Sequence, residues 1–425
     1  MKRMLLALGL VVLVTGQAHA RTWVIRPDGS GDAPTVRAGL DSARAGDTVL
    51  VYPGEYEVAG GPVRDYVNLV SYGGRDVTTL YNSTEPDTPI MYPGCDGVLI
   101  KGFCFRRVRQ YLVQGIFAGG CDRPPLQRNQ FVENSFIDLA ATDWGGGICL
   151  YEGGSALIAD NIFVRCAGYD AGGAICCSDR ASASIRGNEF YDCQSQFGGA
   201  IAGCGGGSVE ITDNLFVGNY SWKQGGAIWC NFGEVPFIER NTFRDNSATS
   251  GGGGMFFQRC TGQVRYNILD GNGAEYGGGL VAGLESHAIC EMNTFYGNRA
   301  TAGGSGVFGT GGAVLEVRNC ILAACAGRYA IECVGVATSS LDCNDLWGNW
   351  GDYAGCAPGA LDFREDPLFC STADGTECLY LQECSPCVAR PGCGQVGAYG
   401  VGCDCGGGPS AALPATWGAL KSMYR

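Results

Sequence analysis

Residues 211–219 read Ile-Thr-Asp-Asn-Leu-Phe-Val-Gly-Asn, residues 238–246 read Ile-Glu-Arg-Asn-Thr-Phe-Arg-Asp-Asn, and residues 290–298 read Cys-Glu-Met-Asn-Thr-Phe-Tyr-Gly-Asn. Outward from these blocks an Asn-x-apolar triplet returns nine times, anchored on Asn134, Asn161, Asn188, Asn214, Asn241, Asn267, Asn293, Asn319 and Asn344, at spacings of 25–27 residues. Two positions after each anchor the residue is always apolar, from Phe136, Phe163, Phe190, Phe216 and Phe243 through Leu269, Phe295 and Ile321 to Leu346. Three positions before it the series is Phe131, Ile158, Ile185, Ile211, Ile238, Val264, Cys290, Glu316 and Leu341, with Glu316 the one exception. Beyond a glycine run comes a third apolar position: Ile148, Ile175, Ile201, Ile228, Met255, Leu280 or Val307. A period of this length marks a protein of stacked units.

The composition of the unit decides what stacks. Each carries two to four glycines and many Asn residues, which disfavours helical repeats, and no Leu-x-x-Leu-x-Leu signature occurs. Three short apolar patches, rich in β-branched and aromatic residues and each closed by turn residues, suit three strands per coil. Stacked coils set equivalent residues ~4.8 Å apart, so the Phe and Ile positions become inner columns. The expected fold is all-β, a right-handed parallel β-helix. A second polar column holds Asn219, Asn246, Asn272, Asn298 and Asn349, with Cys166 and Cys193 in the earlier coils and Cys149 and Cys176 as further neighbours. Asn suits both columns because it tolerates left-handed turns and its amide can bond the coils above and below. Asp138, Arg165 and Asp192 share a column of alternating charge, and Arg244 faces Asp270; such pairs add ~0.2–1 kcal/mol each and help set register.

At the start, Lys2 and Arg3, an apolar run from Met4 to Val14 and Ala18-His19-Ala20 read as a secretory signal over 1–20, too short to span a bilayer. No other segment approaches a membrane span. Processing leaves 27 Lys and Arg against 42 Asp and Glu, a net charge of −15, a poor match for nucleic acid or anionic lipid. The 24 cysteines fit an oxidising compartment, some as bridges and some as small core residues. Residues 21–58 read as an N-terminal cap: a strand at Thr22 to Ile25, a turn at Asp28 to Asp32, an amphipathic helix with Val36, Leu40 and Ala43 on one face, and a strand from Thr48. An amphipathic helix is what an exposed solenoid end requires. Asp28 and Asp32 suit turn and capping duty rather than Ca²⁺. The β-helix is expected over 59–357, Cys-rich terminal coils over 358–405, and a linker with a C-terminal tail over 406–425. Bridges rather than zinc account for the cysteines around Cys384 and Cys387.

The opening Asp28-Gly29-Ser30-Gly31-Asp32, with its short helix and Gly46-Asp47-Thr48-Val49, resembles that of pectin-lyase-like β-helix proteins. Gly225-Gly226-Ala227-Ile228 and the Phe-x-x-Asn blocks Phe216 to Asn219, Phe243 to Asn246 and Phe295 to Asn298 resemble the repeats of polymorphic outer-membrane proteins. Asp366-Pro367-Leu368-Phe369, Ser385-Pro386 and Gly397-Ala398-Tyr399 look like the closing coils of secreted β-helix proteins with variable anchoring tails. The resemblance covers most of 23–400 and implies export, at the outer surface of a bacterial cell. It speaks weakly to activity.

Catalytic residues do not emerge. One histidine, His287, remains after processing, so multi-His metal sites are excluded and a Ser-His-Asp device is improbable. Gly-His-Gly and Asp-Asp, the hydrolase pattern of this fold, are missing. The resemblance places sugar along the Gly-rich strand in related lyases. There Asp143 and Asp170 precede the strand in neighbouring coils, and Glu152 and Asp179 follow it. Stacked carboxylates can bridge Ca²⁺, but in water their repulsion is only about 0.9 kcal/mol, so a solvated face explains them too. Arg106, Arg107, Arg109, Arg123 and Arg128 gather around an irregular coil as surface charge or as a grip on an acidic sugar. Trp144, Tyr169, Phe197, Trp222 and Tyr276 stand just ahead of glycine runs. They are either rings covering bare glycines or a ladder for sugar faces. The reading is an exported, non-catalytic structural or glycan-binding protein with no cofactor, its partner a polysaccharide or cell-surface glycan. The competing reading is a Ca²⁺-dependent polysaccharide lyase acting on uronic-acid polymers by β-elimination.

Overall fold

A computed structural model describes residues 20–405 apart from 59, 86, 108–111, 121–125, 234–235, 337 and 372–376. The expected signal, all but its last residue, lies outside the described residues, as do the 406–425 tail, Arg109 and Arg123.

The apolar periodicity stacks as parallel coils with three main sheets of 13, 12 and 12 strands, each strand pairing in parallel with its equivalent one coil away. The Ile sheet runs from Thr22–Ile25 to Thr338–Asp342, the Phe sheet from Gly54–Glu57 to Asp345–Trp347, and the sheet after the glycine runs from Gly61–Val63 to Tyr353–Ala354. Phe105, Phe136, Phe163, Phe190, Phe216 and Phe243 lie ring on ring, centroids 4.7–4.9 Å apart and planes within 7°. These rings are fully buried. Extended strands repeat at the coil spacing, which is also a stacking distance, so one residue type at one position builds a continuous core.

The amide ladders run beside it. Asn161 donates its backbone N–H to Asn188 Oδ1 at 3.0 Å, and its Nδ2 donates to Phe131 O at 2.8 Å and to Asn188 Oδ1 at 3.0 Å. The same pattern recurs at Asn188, Asn214 and Asn241. The left-handed turn belongs to a different residue than expected. Glu133, Asp160, Asp213, Arg240, Tyr266 and Met292, each just before an anchor, have φ of 54–58°. The anchors are fixed by their amide bonds, and the strain sits one residue earlier.

That distinction corrects the reading of the eighth anchor. Asn319 takes the left-handed position (φ 50°) and Cys320 takes the anchor place, its Sγ accepting from Asn293 N at 3.5 Å and its N–H donating to Asn344 Oδ1 at 3.1 Å. Val317 and Leu322 therefore fill the Ile and Phe columns, and Glu316 points away to pair with His287 at 2.9 Å. Cys325 likewise stands in the second Asn column, donating to Asn349 Oδ1 at 3.0 Å. The predicted charge pairs form, Arg165 on Asp138 at 2.7 Å and Arg244 on Asp270 at 3.0 Å; being partly exposed, each is worth ~0–1 kcal/mol.

Both ends depart from simple stacking. The helix, Val36–Ser42, is capped by Thr35, whose side chain accepts from Ala38 N, and buries Val36 and Leu40. Its flanking strands Thr22–Ile25 and Thr48–Val51 pair with each other in register, and Thr48–Val51 pairs in turn with Asn68–Ser71, so the cap is continuous with the Ile sheet. Asp28 accepts from Ser30 N and Oγ, and Asp32 from Val24 N, the turn duty expected. The Cys-rich segment does not extend the stack beyond one bridge between Asp345 and Phe363. Its strands Phe369–Ser371, Glu377–Gln382 and Val401–Cys403 form a separate sheet that folds back over the Phe sheet, where Phe369, Leu381, Val396 and Ala398 cover Ile268, Ile321 and Ala323. Disulfides Cys343–Cys393, Cys370–Cys403 and Cys384–Cys405 hold it. Most of the other cysteines are buried thiols.

Candidate functional site

Each strand after a glycine run alternates, so with Ile228 inside, Trp229 faces out, Cys230 returns to the core and Asn231 faces out. Pairing carries that outward file through Cys149, Cys176, Ala202, Trp229, Phe256, Val281 and Phe308. The turn before the strand brings a second layer over it. Gly225 adopts φ 69°, and a Cβ on Gly226 would stand 2.1 Å from Gly253 O. Only glycine permits that approach, and the compressed turn lays Phe197 and Tyr276 against the outward file.

Two clefts result. One, of about 420 Å³, is lined by Phe197, Lys223, Gln224, Trp229, Asn231, Ser250 and Gln258. The Phe197 and Trp229 rings stack at 4.8 Å, and the Lys223 ammonium lies 5.1 Å from the Phe197 ring centre. Lys223 is the only charged residue of that lining. Trp229 Nε1 and Asn231 Oδ1 are buried there, with no hydrogen-bond partner among the described residues. The other cleft, of about 390 Å³, is walled by Phe256, Tyr276, Val281 and Phe308, with Tyr276 and Phe308 5.2 Å apart.

The five aromatics singled out from sequence do not make one ladder. Trp144, Phe197 and Tyr276 share a file in which Ala171, Gln224 and Gly251 fill the intervening coils, and all three pack on the outward aromatic cluster. Tyr169 and Trp222 stand apart, rings 6.4 Å from each other, in an apolar hollow of about 440 Å³ with Leu112 and Ala140. Trp229, Phe256 and Phe308 were missed, although period-two reading of Ile228-Trp229-Cys230-Asn231 signals them.

The four carboxylates also separate into two pairs, on either side of the strands Ile148–Leu150 and Ile175–Cys177. Asp170 N–H donates to Asp143 O at 2.8 Å, placing those residues in register, and Asp143 shares a cleft of about 270 Å³ with Asp87, Tyr92, Phe117 and Trp144. Glu152 and Asp179 flank the Tyr151 hydroxyl, whose pKa is raised first by its hydrogen bond to Asp179 and then by the Glu152 charge. Among the described residues no three His, Cys, Asp or Glu side chains converge on a metal-sized point. Arg106 is paired with Glu55 at 3.2 Å. The Cys176 thiol is pushed well up by hydrogen bonding with Cys149 and Cys204 and by burial, so this outward thiol is no nucleophile at neutral pH.

The family described as right handed beta helix region matches residues 90–231 and 219–346, more than half of the chain. The chain belongs to that family. No curated protein sequence matches it. Among solved structures, the A-module of Azotobacter vinelandii mannuronan C-5 epimerase AlgE6 is similar over 78% of this chain and 93% of its own, at 12% identity and a TM-score of 0.39. The PL6 family alginate lyase AlyGC is similar over 84% of this chain and 55% of its own, at 11% identity and a TM-score of 0.44. Likeness at these values concerns the fold alone. Among the described residues no helix of this β-helix protein is long and apolar enough to cross a membrane.

Proposed function

We propose that this β-helix protein acts outside the cell as a non-catalytic glycan-binding protein of adhesin type, with its ligand along the outer face of the sheet after the glycine runs. The observation that carries the reading is the pair of aromatic clefts there, Phe197 with Trp229 and Tyr276 with Phe308. Concave sites lined by rings and a few polar groups are what saccharides require: ring faces take the C–H faces of the sugar, and amides and hydroxyls take its oxygens. The disulfide-held C-terminal segment suits an exported chain. Acid–base chemistry on a glycosidic bond calls for a positioned proton donor and acceptor, and the polar side chains lining the Trp229 cleft are three amides, one hydroxyl, one indole and one ammonium, without a carboxylate.

A second reading draws on the Asp87–Asp143 cleft, where a Ca²⁺-dependent lyase would place its metal and its uronate. One experiment separates the two. The full chain is tested on immobilised glycans and, with Ca²⁺, on uronic-acid polymers while the absorbance of unsaturated products is followed. Glycan retention that is lost in Trp229→Ala and Phe308→Ala, without product formation, supports binding. Unsaturated product abolished by Asp170→Ala would replace that reading with the lyase.

A further inference from the structure

Several free thiols lie side by side in neighbouring coils, and coil geometry separates the pairs that cannot bridge from one that can. Cys149 pairs in register with Cys176, and Cys166 and Cys193 stand just before the paired residues Ala167 and Gln194. Equivalent residues of stacked parallel strands point the same way, so their Cβ atoms keep the coil spacing of ~4.8 Å. A disulfide needs Cβ atoms about 3.5–4.5 Å apart, and both of these pairs are held too wide.

Cys333 and Cys356 differ. In the strands Ile331–Val334 and Tyr353–Ala354, Ile331 lies opposite Tyr353 and Glu332 opposite Ala354. Continuing that register puts Gly355 opposite Cys333 and Cys356 one place on, a diagonal Cα separation of roughly 6 Å, inside the range of about 4.4–6.8 Å that a disulfide spans. Strict alternation would turn Cys356 away from the inward Cys333. Gly355 breaks the alternation. It takes φ 69°, and a Cβ there would stand 1.9 Å from Cys333 O, so only glycine lets the chain bend this close. The bend returns Cys356 to the core side, where it packs, partly buried, against the cluster that holds Cys333. The two thiols hydrogen-bond to each other there.

We propose that Cys333 and Cys356 form a disulfide under oxidising conditions, a staple that fastens the last strand of the sheet after the glycine runs to its neighbour. The two thiols have distinct parts in closing it. Cys356 is the more accessible, and the hydrogen bond from Cys333 lowers its pKa, while that bond and burial raise the pKa of Cys333. The Cys356 thiolate attacks the disulfide of an oxidant, such as oxidised glutathione or an oxidoreductase, and one oxidant sulfur leaves as a thiol. Cys333 then gives up its proton and attacks the Cys356 sulfur of that mixed disulfide, and the second oxidant sulfur leaves as a thiol. Two protein thiols are oxidised and one oxidant disulfide is reduced. The strand so fastened, Tyr353–Ala354, is two residues long and ends its sheet.

The test equilibrates the full chain with reduced and oxidised glutathione, blocks remaining thiols with N-ethylmaleimide during denaturation, and maps the products by mass spectrometry. An aspartate-specific protease cuts between the two positions, at Asp342 and Asp352. The expected product is a linked pair of peptides carrying Cys333 and Cys356, with Cys149, Cys176, Cys166 and Cys193 all blocked as thiols. Cys356→Ser should then speed amide exchange in 331–354 on the order of 10²-fold relative to the oxidised chain, the effect of opening a loop of this length, and leave the coils from 134 to 320 unchanged. Blocked thiols at both Cys333 and Cys356, glutathione left on Cys356, or a link from either to another cysteine would overturn the assignment. A bridge within Cys149–Cys176 or Cys166–Cys193 would overturn the geometric rule beneath it. The mapping of the unmodified chain decides these outcomes even if Cys356→Ser fails to fold.

Discussion

Replacing Asn214 with alanine isolates one rung of the amide ladder. Asn214 Nδ2 donates to Ile185 O at 2.8 Å and to Thr212 O at 2.9 Å, and its Oδ1 accepts from Asn188 N at 2.9 Å. The residue is 3% exposed, so water cannot take over these bonds. Alanine leaves the Asn188 N–H and the Ile185 carbonyl without partners, at ~1–3 kcal/mol each, and a loss of about 2–6 kcal/mol follows. Contacts between stacked coils are nearest-neighbour contacts, so the damage should centre on the coils from Ile185 to Asn241. Urea unfolding reads the total, and amide hydrogen exchange reads where it falls. Arg165→Ala is the control. It breaks a two-pronged contact with Asp138, but an exposed one, worth ~0–1 kcal/mol. The reciprocal change is Cys320→Asn, which replaces a weak sulfur acceptor 3.5 Å from Asn293 N and should gain about 0.5–1.5 kcal/mol. If Asn214→Ala cost no more than Arg165→Ala, the ladder would not be what locks the coils together.

Two further predictions concern the folded-back segment. Burial raises the Asp345 carboxyl to about 7 from 3.8, with Cys387 Sγ 3.2 Å from its Oδ2 and Glu365 N donating to its Oδ1 at 3.1 Å. The native chain thus keeps a proton that the unfolded chain has already released, so stability should fall as pH rises from about 4 to about 7 and level off above. Asp345→Asn should flatten the melting temperature across that window; an unchanged slope would mean that another group is responsible. The Cys343–Cys393 bridge spans 50 residues, a loop whose closure is worth about 4 kcal/mol in the chain-entropy account. Cys393→Ser should expose 363–405 to proteolysis while the coils from 134 to 346 stay protected, and joint cleavage of both regions would count against independent docking.

The core was legible because a β-helix writes one position into one column. Phe136, Phe163, Phe190, Phe216 and Phe243 recur at the period and stack as expected. The slip at Asn319 arose where two positions accept the same residue type. Asn suits both the anchor and the left-handed place before it, and the sulfur of Cys320 stood in for the missing amide. Only the inward Val317 and Leu322 distinguish the two registers. The C-terminal segment carries no period, since a sheet docked by Ile321, Phe369 and a 50-residue bridge is specified by contacts distant in the chain.

The candidate site lies between these extremes, and the reason is geometric. Reading residues ahead of the glycine runs finds Trp144, Phe197 and Tyr276, which form only the upper layer of the clefts. The lower layer is the outward half of each strand, and its position is fixed by the inward Ile228, Met255 and Val307. Once those core positions are known, Trp229, Phe256 and Phe308 follow by alternation. What no repeat reports is that Trp229 Nε1 and Asn231 Oδ1 end without partners. At the same height the next coil offers Phe256 beside Trp229 and Gln258 beside Asn231, and the previous one offers Ala202 and Cys204. The stacking that satisfies every amide of the inner ladder thus leaves this outward pair unmet, and the departure from the repeat is what makes this one face chemically distinct.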